Sequence, residues 1–273
     1  MTKPPPGLDS FLARPITIAP RPIVAASPIV IDNTLPPLVM IPARGGSKGI
    51  PGKNLQPVAG VPLLARSVRA ALAARSVGAI WVSSDDATIG RCAEREGAGW
   101  LQRPARLAGD QASSEAALLD GLAQLGRQGP LPELFVFLQC TSPFTTGSQI
   151  DGVVQALLAS TANMAFSVVP WHGFLWRHDE NGQGIGVNHD ASLPRQRRQD
   201  LAPTYLETGA IYVIRTAPFL EQGNRFIHPT LPVPIQALAP EIDSPEDLRL
   251  CEQLAPLLDQ ARSAADQDPD NET

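Results

Sequence analysis

The stretch "IPARGGSKGIPGKN", Ile41 to Asn54, puts four glycines, two lysines and an arginine on one loop. Glycine lets backbone N–H groups approach an anion closely, while Arg44, Lys48 and Lys53 supply countercharge, so the chemistry is phosphate binding. The loop is not a GxxxxGK[ST] P-loop. Five residues rather than four separate Gly46 from Gly52-Lys53, and Asn54 stands where a magnesium-binding hydroxyl would be. Pro57, Gly60 and Pro62 also delay any helix, whereas a P-loop runs straight into one.

Other groups downstream suit the same kind of ligand. Glu241 and Asp243, in "EIDSPEDL", are two apart in an extended segment and so point to the same side, where both can reach one hard cation between phosphate oxygens. Arg103 precedes Pro104, which favours extended backbone and lets a fork of donors be aimed at carbonyl groups. Ser113 and Ser114 stand where a helix begins, as caps and as neighbours of any anion at that terminus. Gln139 ends an apolar run, where an amide needs a partner. Cys140 beside it lacks an indicated activating histidine and reads as small filler. The cluster Arg195, Arg197 and Arg198 reads as a solvated loop or a nucleic-acid patch, and the acidic balance and the absence of interleaved aromatics disfavour the latter.

Composition narrows the ligand. The net charge is -5 with a pI of 5.4, which argues against nucleic acid or an anionic lipid surface as partner. A mean hydropathy of -0.04, with no apolar run long enough for a membrane helix, fits a soluble chain. Cys92, Cys140 and Cys251 are odd in number and far apart, giving neither a disulfide framework nor a metal pair, as expected of a cytoplasmic protein.

The elements that must position these residues follow an α/β rhythm. "LVMI" (38–41), "AIWVSS" (79–84), "LFVFLQ" (134–139) and "MAFSVV" (164–169) read as strands buried on both faces of a mostly parallel, Rossmann-like sheet covered by helices. "PLLARSVRAALAA", with Pro62 at its first position, "SSEAALLDGLAQL", with Leu118, Leu122 and Leu125 on one face, and "GSQIDGVVQALLAS" read as helices. Strand character returns in "AIYVI" (210–214) and "VPIQAL" (233–238), and a closing helix starts at Ser244-Pro245. Residues 1–37, with nine prolines, are expected to form a flexible arm, or else one that packs on the domain or a partner. Residues 38–260 form the main domain, about 171–208 a small inserted subdomain, and 261–273 a polar, frayed tail.

Taken in order, "ARGGSKGIPGKN", "VSSDD" (82–86), "RPARLAGDQASS" (103–114), "LQCTSPF" (138–144), "RQRRQD" (195–200), "ETGAIY" (207–212) and "EIDSPEDL" (241–248) resemble the CMP-acylneuraminate synthetases. The resemblance spans about Leu38 to Leu258. It implies transfer of CMP from CTP to the anomeric hydroxyl of an acidic nine-carbon sugar, with Mg2+ and release of pyrophosphate, by a homodimer. By resemblance, Arg44 and Lys53 hold the triphosphate with Lys53 near the reacting phosphate. Ala43, Gly45, Asn54, Arg103, Ala112, Ser113 and Ser114 contact the nucleotide, and Gln139, Arg198 and Tyr205 the sugar. Asp243 and Glu241 hold the metal, and the inserted subdomain lies across the dimer interface. The family pattern is departed from at Glu241, where it normally has Asp, at Thr208, where it commonly has Asn, and at Cys140, usually Pro. A sugar nucleotidyltransferase of other specificity, or a nucleotide-binding relative without turnover, is the alternative.

Overall fold

Residues 29–195, 197, 200, 202–236 and 238–267 are described by a computed structural model, the side chains of 261–267 excepted. The strands are β1 (Ile31–Asp32), β2 (Leu38–Pro42), β3 (Pro57–Val58), β4 (Val61–Pro62), β5 (Ile80–Ser84), β6 (Gly99–Gln102), β7 (Leu131–Pro132), β8 (Leu134–Leu138), β9 (Met164–Trp171), β10 (Trp176–His178), β11 (Gly184–Gly186), β12 (Thr204–Arg215) and β13 (Thr230–Pro234). The α-helices are α1 (Leu63–Ala73), α2 (Ala87–Arg95), α3 (Ser114–Gly126), α4 (Gly147–Leu158), α5 (Thr216–Gln222) and α6 (Pro245–Gln267).

Seven strands form the central sheet in the order β13-β9-β12-β8-β2-β5-β6. Within it only β12 runs against its neighbours, so the sheet is mostly parallel as the buried apolar runs imply. Alternation along β2 shows why both faces must be covered. Val39 and Ile41 pack with α1, α2, α4 and α6 on one face, while Leu38 and Met40 pack with α3 and α5 on the other. Leu118, Leu122 and Leu125 do share the buried face of α3. Asp86 caps α2 by accepting from the Thr88 N–H at 2.6 Å, and Thr146 with Gln149 forms a capping box at α4.

Several boundaries differ from the sequence expectation. Pro62 immediately precedes α1 rather than opening it. Strand β12 begins at Thr204, not 210: its first four residues are exposed, and backbone pairing with β9 continues beyond the buried run. Strand β13 lies at 230–234 rather than 233–238; it is an edge strand, where Pro232 and Pro234 can be tolerated. Helix α6 continues to Gln267, so the frayed tail does not begin at 261. The expected arm is docked over its last part: β1 pairs in parallel with β7, and Ile29 and Ile31 pack on the α3 face of the core. Residues 1–28 lie outside the described residues. Helix α2 and strand β6, neither evident in the sequence, complete the sheet edge beside the first loop. Between β9 and β12 the short β10–β11 hairpin, paired antiparallel, occupies the inserted segment expected near 171–208.

Candidate active site

The loop after β2 is tied to the carboxyl ends of neighbouring strands, the edge of an open α/β sheet where ligands bind. The Ala43 N–H donates to the Ser83 carbonyl at 2.9 Å, and the Gly45 N–H to Asp85 Oδ1 at 3.0 Å. Asn54 is buried, and its side-chain amide donates to the Arg44 carbonyl at 3.0 Å, bracing the loop from inside. Gly49 allows the loop to touch the segment before α6. A Cβ there would stand 2.8 Å from the Asp243 carbonyl oxygen, closer than real Cβ contacts come.

That approach delivers Lys53 to its partners. Lys53 Nζ donates to the Ile242 carbonyl at 2.9 Å and to Asp243 Oδ1 at 3.1 Å. The segment is held from the other side as well. Ile242 is fully buried and its N–H donates to the Thr141 carbonyl at 2.8 Å, while Asp247 accepts from the N–H groups of Asp243 and Ser244 at the start of α6. With Ile242 as the inward peg, exposed Glu241 and Asp243 flank it, as the two-residue spacing requires.

A cleft of about 390 Å³ opens between the first loop and the amino end of α3. Arg44, Lys48, Lys53 and Asn54 line it from the loop, Arg103, Asp110, Ala112, Ser113 and Ser114 from the opposite wall, and Asp243 from the floor. The structure thus gathers most of the residues singled out in the sequence. Ser113 Oγ accepts from the Ala116 N–H at 3.1 Å as the α3 cap, leaving the helix terminus to favour an anion. Arg103 is buried, donating from Nε to Ser83 Oγ at 3.1 Å and from Nη2 to the Ser83 carbonyl. Burial pulls the Arg103 guanidinium below its ordinary pKa, yet an arginine remains charged at any physiological pH. Two nitrogens of its fork are therefore fixed by β5.

Other expected contacts lie elsewhere. Gln139 Nε2 donates to the Gly209 carbonyl and Gln139 does not line the cleft. Tyr205 is exposed near the start of β12, away from the cleft walls. Arg198 lies outside the described residues. Thr208 is buried; it bonds the Ser167 hydroxyl and donates to the Ser167 carbonyl at 3.0 Å, so its side chain supports the β12 bulge rather than lining the cleft. Burial pushes the Cys140 thiol up to about 12, which suits filler and not a nucleophile. Two partners went unread in the sequence: Asp85, which accepts from Gly45, and Asp110, which pairs with Arg44 and Lys48. Both stand inside quoted motifs, and their carboxylates beside a cationic loop were the available signal.

Gly209 shapes the boundary between Gln139 and Glu241. Its φ is +67, and a Cβ would lie 3.0 Å from Glu241 Oε2. Gly209→Ala is expected to cost about 1–3 kcal/mol through left-handed strain and to displace Glu241, measurable as a lowered midpoint in denaturant.

The paired carboxylates fit a divalent cation. Both are hard oxygen donors flanking Ile242; Lys53 occupies one oxygen of Asp243, which lines the cleft, whereas Glu241 does not line it and accepts from Thr141 through Oε1. Among the described residues no group of three or more His, Cys, Asp or Glu could hold a metal, so phosphate oxygens and water would complete the shell. Although Glu241 keeps an exposed surface, enclosure of its carboxyl raises its pKa, and the Asp243 charge raises it further; the Thr141 hydroxyl, donating at 3.2 Å, and Lys53 oppose this. A carboxyl with a raised folded pKa holds its proton longer folded than unfolded. Its contribution therefore declines as pH rises through the window above the unfolded value, and at neutral pH it is a cost. Glu241→Gln is accordingly expected to raise Tm at neutral pH and to leave it nearly unchanged below pH ~4, checked by thermal melts across pH.

The cytidylyltransferase family model matches residues 38–222. N-acylneuraminate cytidylyltransferase A of Danio rerio is 33% identical over 186 residues, 67% of this chain and 42% of that protein. The chain thus spans less than half the length of that relative. CMP-N,N'-diacetyllegionaminic acid synthase of Legionella pneumophila is 31% identical over 229 residues, covering 82% of this chain and 98% of that one. Among solved structures, CMP:2-keto-3-deoxy-manno-octonic acid synthetase complexed with CTP superposes with a TM-score of 0.59 at 18% identity, over 81% of this chain and 99% of the other. The 2-C-methyl-D-erythritol 4-phosphate cytidylyltransferase of Thermus thermophilus gives 0.55 at 22%, over 80% and 98%. At these identities the two structures speak to the fold alone.

Proposed function

The chain belongs to the cytidylyltransferase family, and we propose that it transfers CMP from CTP to the anomeric hydroxyl of a sialic acid-like nonulosonic acid. The observation that carries this is the cleft in which Arg44, Lys53, Arg103 and the α3 terminus face one another above Asp243. The sugar hydroxyl oxygen forms the new bond to the α-phosphorus, the bond to the β-phosphate breaks, and pyrophosphate leaves with the electron pair as the hydroxyl proton is released. Such a displacement needs alignment and charge neutralisation more than covalent help. Arg44 and the loop N–H groups bind the triphosphate. Lys53, fixed by Ile242 and Asp243, offers its charge where negative charge grows, and the rigid Arg103 meets the base. A Mg2+ ion held by Asp243 and Glu241 would supply further neutralisation at the phosphates.

Gln139, Tyr205 and Arg198 are the acceptor-side residues, Arg198 for the sugar carboxylate. Working as a homodimer is supported by the inserted segment, where Trp176, Val187, Leu193 and Leu206 are exposed together with Tyr205. Apolar side chains facing out of the inserted segment suit burial against a second subunit. A cytoplasmic setting suits three free, buried cysteines, and among the described residues no helix is long and apolar enough to cross a membrane.

The test is pyrophosphate release from CTP, UTP, GTP and ATP against a panel of nonulosonic acids with Mg2+. Release with CTP and one or more acids is expected. CTP binding without release for any acid would favour a non-catalytic nucleotide binder, and release with another nucleotide would move the specificity.

A further inference from the structure

At the mouth of the cleft one carboxylate holds two of the loop's cations. Asp110 Oδ1 accepts from Arg44 Nη1 at 3.1 Å, and Asp110 Oδ2 pairs with Lys48 Nζ at 2.8 Å. Asp110 comes from the segment between the short 3-10 turn Ala105–Leu107 and α3, on the wall opposite the phosphate loop. The contact therefore spans the opening. Its side chain is 42% exposed and those of Arg44 and Lys48 are 31% and 78% exposed, so the pair sits where solvent and an entering anion both reach it. Deeper in the cleft Lys53 is likewise committed to Asp243. The loop cations that would greet a triphosphate are thus already neutralised by the protein's own carboxylates.

We propose that Asp110 is a displaceable counter-ion, a carboxylate that occupies the anion positions of Arg44 and Lys48 and bridges the cleft until a nucleotide triphosphate takes those two side chains from it. The inference rests on the nucleotide reading of this cleft. A carboxylate is a chemically fair substitute for a phosphate oxygen, since a guanidinium and an ammonium donate to either. Displacement is feasible because the pair is solvent-exposed, where such ion pairs are weak and salt-screened, whereas a polyanion meets both cations at once. The two pairings hold the Asp110 carboxyl below the ordinary carboxylate range, the Lys48 contact foremost, so at neutral pH the competitor is charged. The same carboxylate gives selectivity for entry. A weak, singly charged anion gains too little to displace it, and a triphosphate gains enough.

Asp110→Asn removes the charge while keeping the shape of an exposed loop residue. CTP affinity of the full chain, measured by titration calorimetry at several salt concentrations, is expected to rise about fivefold at low salt, the size of two weak surface pairs relieved. The gain should shrink at high salt and should be smaller for CMP, which brings fewer phosphate charges. CTP binding by the unmodified protein with equal or weaker binding by Asp110→Asn overturns the inference and leaves the nucleotide reading intact. No CTP binding by either protein overturns both.

Discussion

Lys53→Ala is expected to lower kcat/KM for CTP by about 100- to 1,000-fold, the usual cost of removing one preorganised donor from developing charge. The size follows from how the ammonium is held. Its side chain is 18% exposed, and two oxygens on the 242–243 segment fix its nitrogen before substrate arrives. A fixed charge in a sheltered cleft acts without reorganisation, so its loss should fall on kcat more than on the CTP dissociation constant. Lys48→Ala provides the contrast. Lys48 is 78% exposed and shares its charge with Asp110, so its removal is expected to change kcat/KM less than about tenfold. Steady-state pyrophosphate release, with CTP affinity measured separately, separates the two cases. A Lys53→Ala protein that loses affinity but keeps kcat would reduce Lys53 to a binding residue.

The resemblance set Lys53 apart from Lys48, but the contact that holds it was not visible in the sequence. Both stand on one glycine-rich loop, and nothing in "SKGIPGKN" says which ammonium points at the segment before α6, far along the chain. Local patterns were legible where burial on two faces leaves a continuous apolar run, as in β2 and β8, and where a cap precedes a periodic helix, as at Ser113 and Ser244. Spacing was legible in part: exposed Glu241 and Asp243 flank buried Ile242, but only Asp243 lines the cleft. Exposed strand ends gave no such pattern, hence the late start assigned to β12. Thr208 stands out only as a departure from the family's Asn, and pairing with Ser167 turns its side chain into the core. Arg103 reads as an arginine on extended backbone that aims its donors at carbonyl groups, but nothing local says that Ser83 of the protein itself takes two of its nitrogens. These are tertiary choices, settled by which strand end lies next to which, and no local propensity encodes them.

Asp243 carries two duties whose separation gives the other large effect. It accepts from Lys53, and in the proposed function it also holds, with Glu241, a divalent cation. Asp243→Asn preserves the first duty, since an amide oxygen can still accept from Lys53, and removes the charge needed for the second. The backbone should stay in place, because Asp247 still receives the residue-243 N–H and Ile242 remains buried. Activity is expected to fall about 100-fold or more at millimolar Mg2+, with the metal concentration for half-maximal rate raised by at least about tenfold. Thermal stability should hold or rise, since removing one of two neighbouring like charges relieves the repulsion that raises Glu241. Rates measured across Mg2+ and Mn2+ concentrations, beside melts without metal, read both quantities. A fall in rate that no metal concentration changes, with half-saturation unaltered, would assign Asp243 to holding Lys53 alone and leave the cation to other ligands.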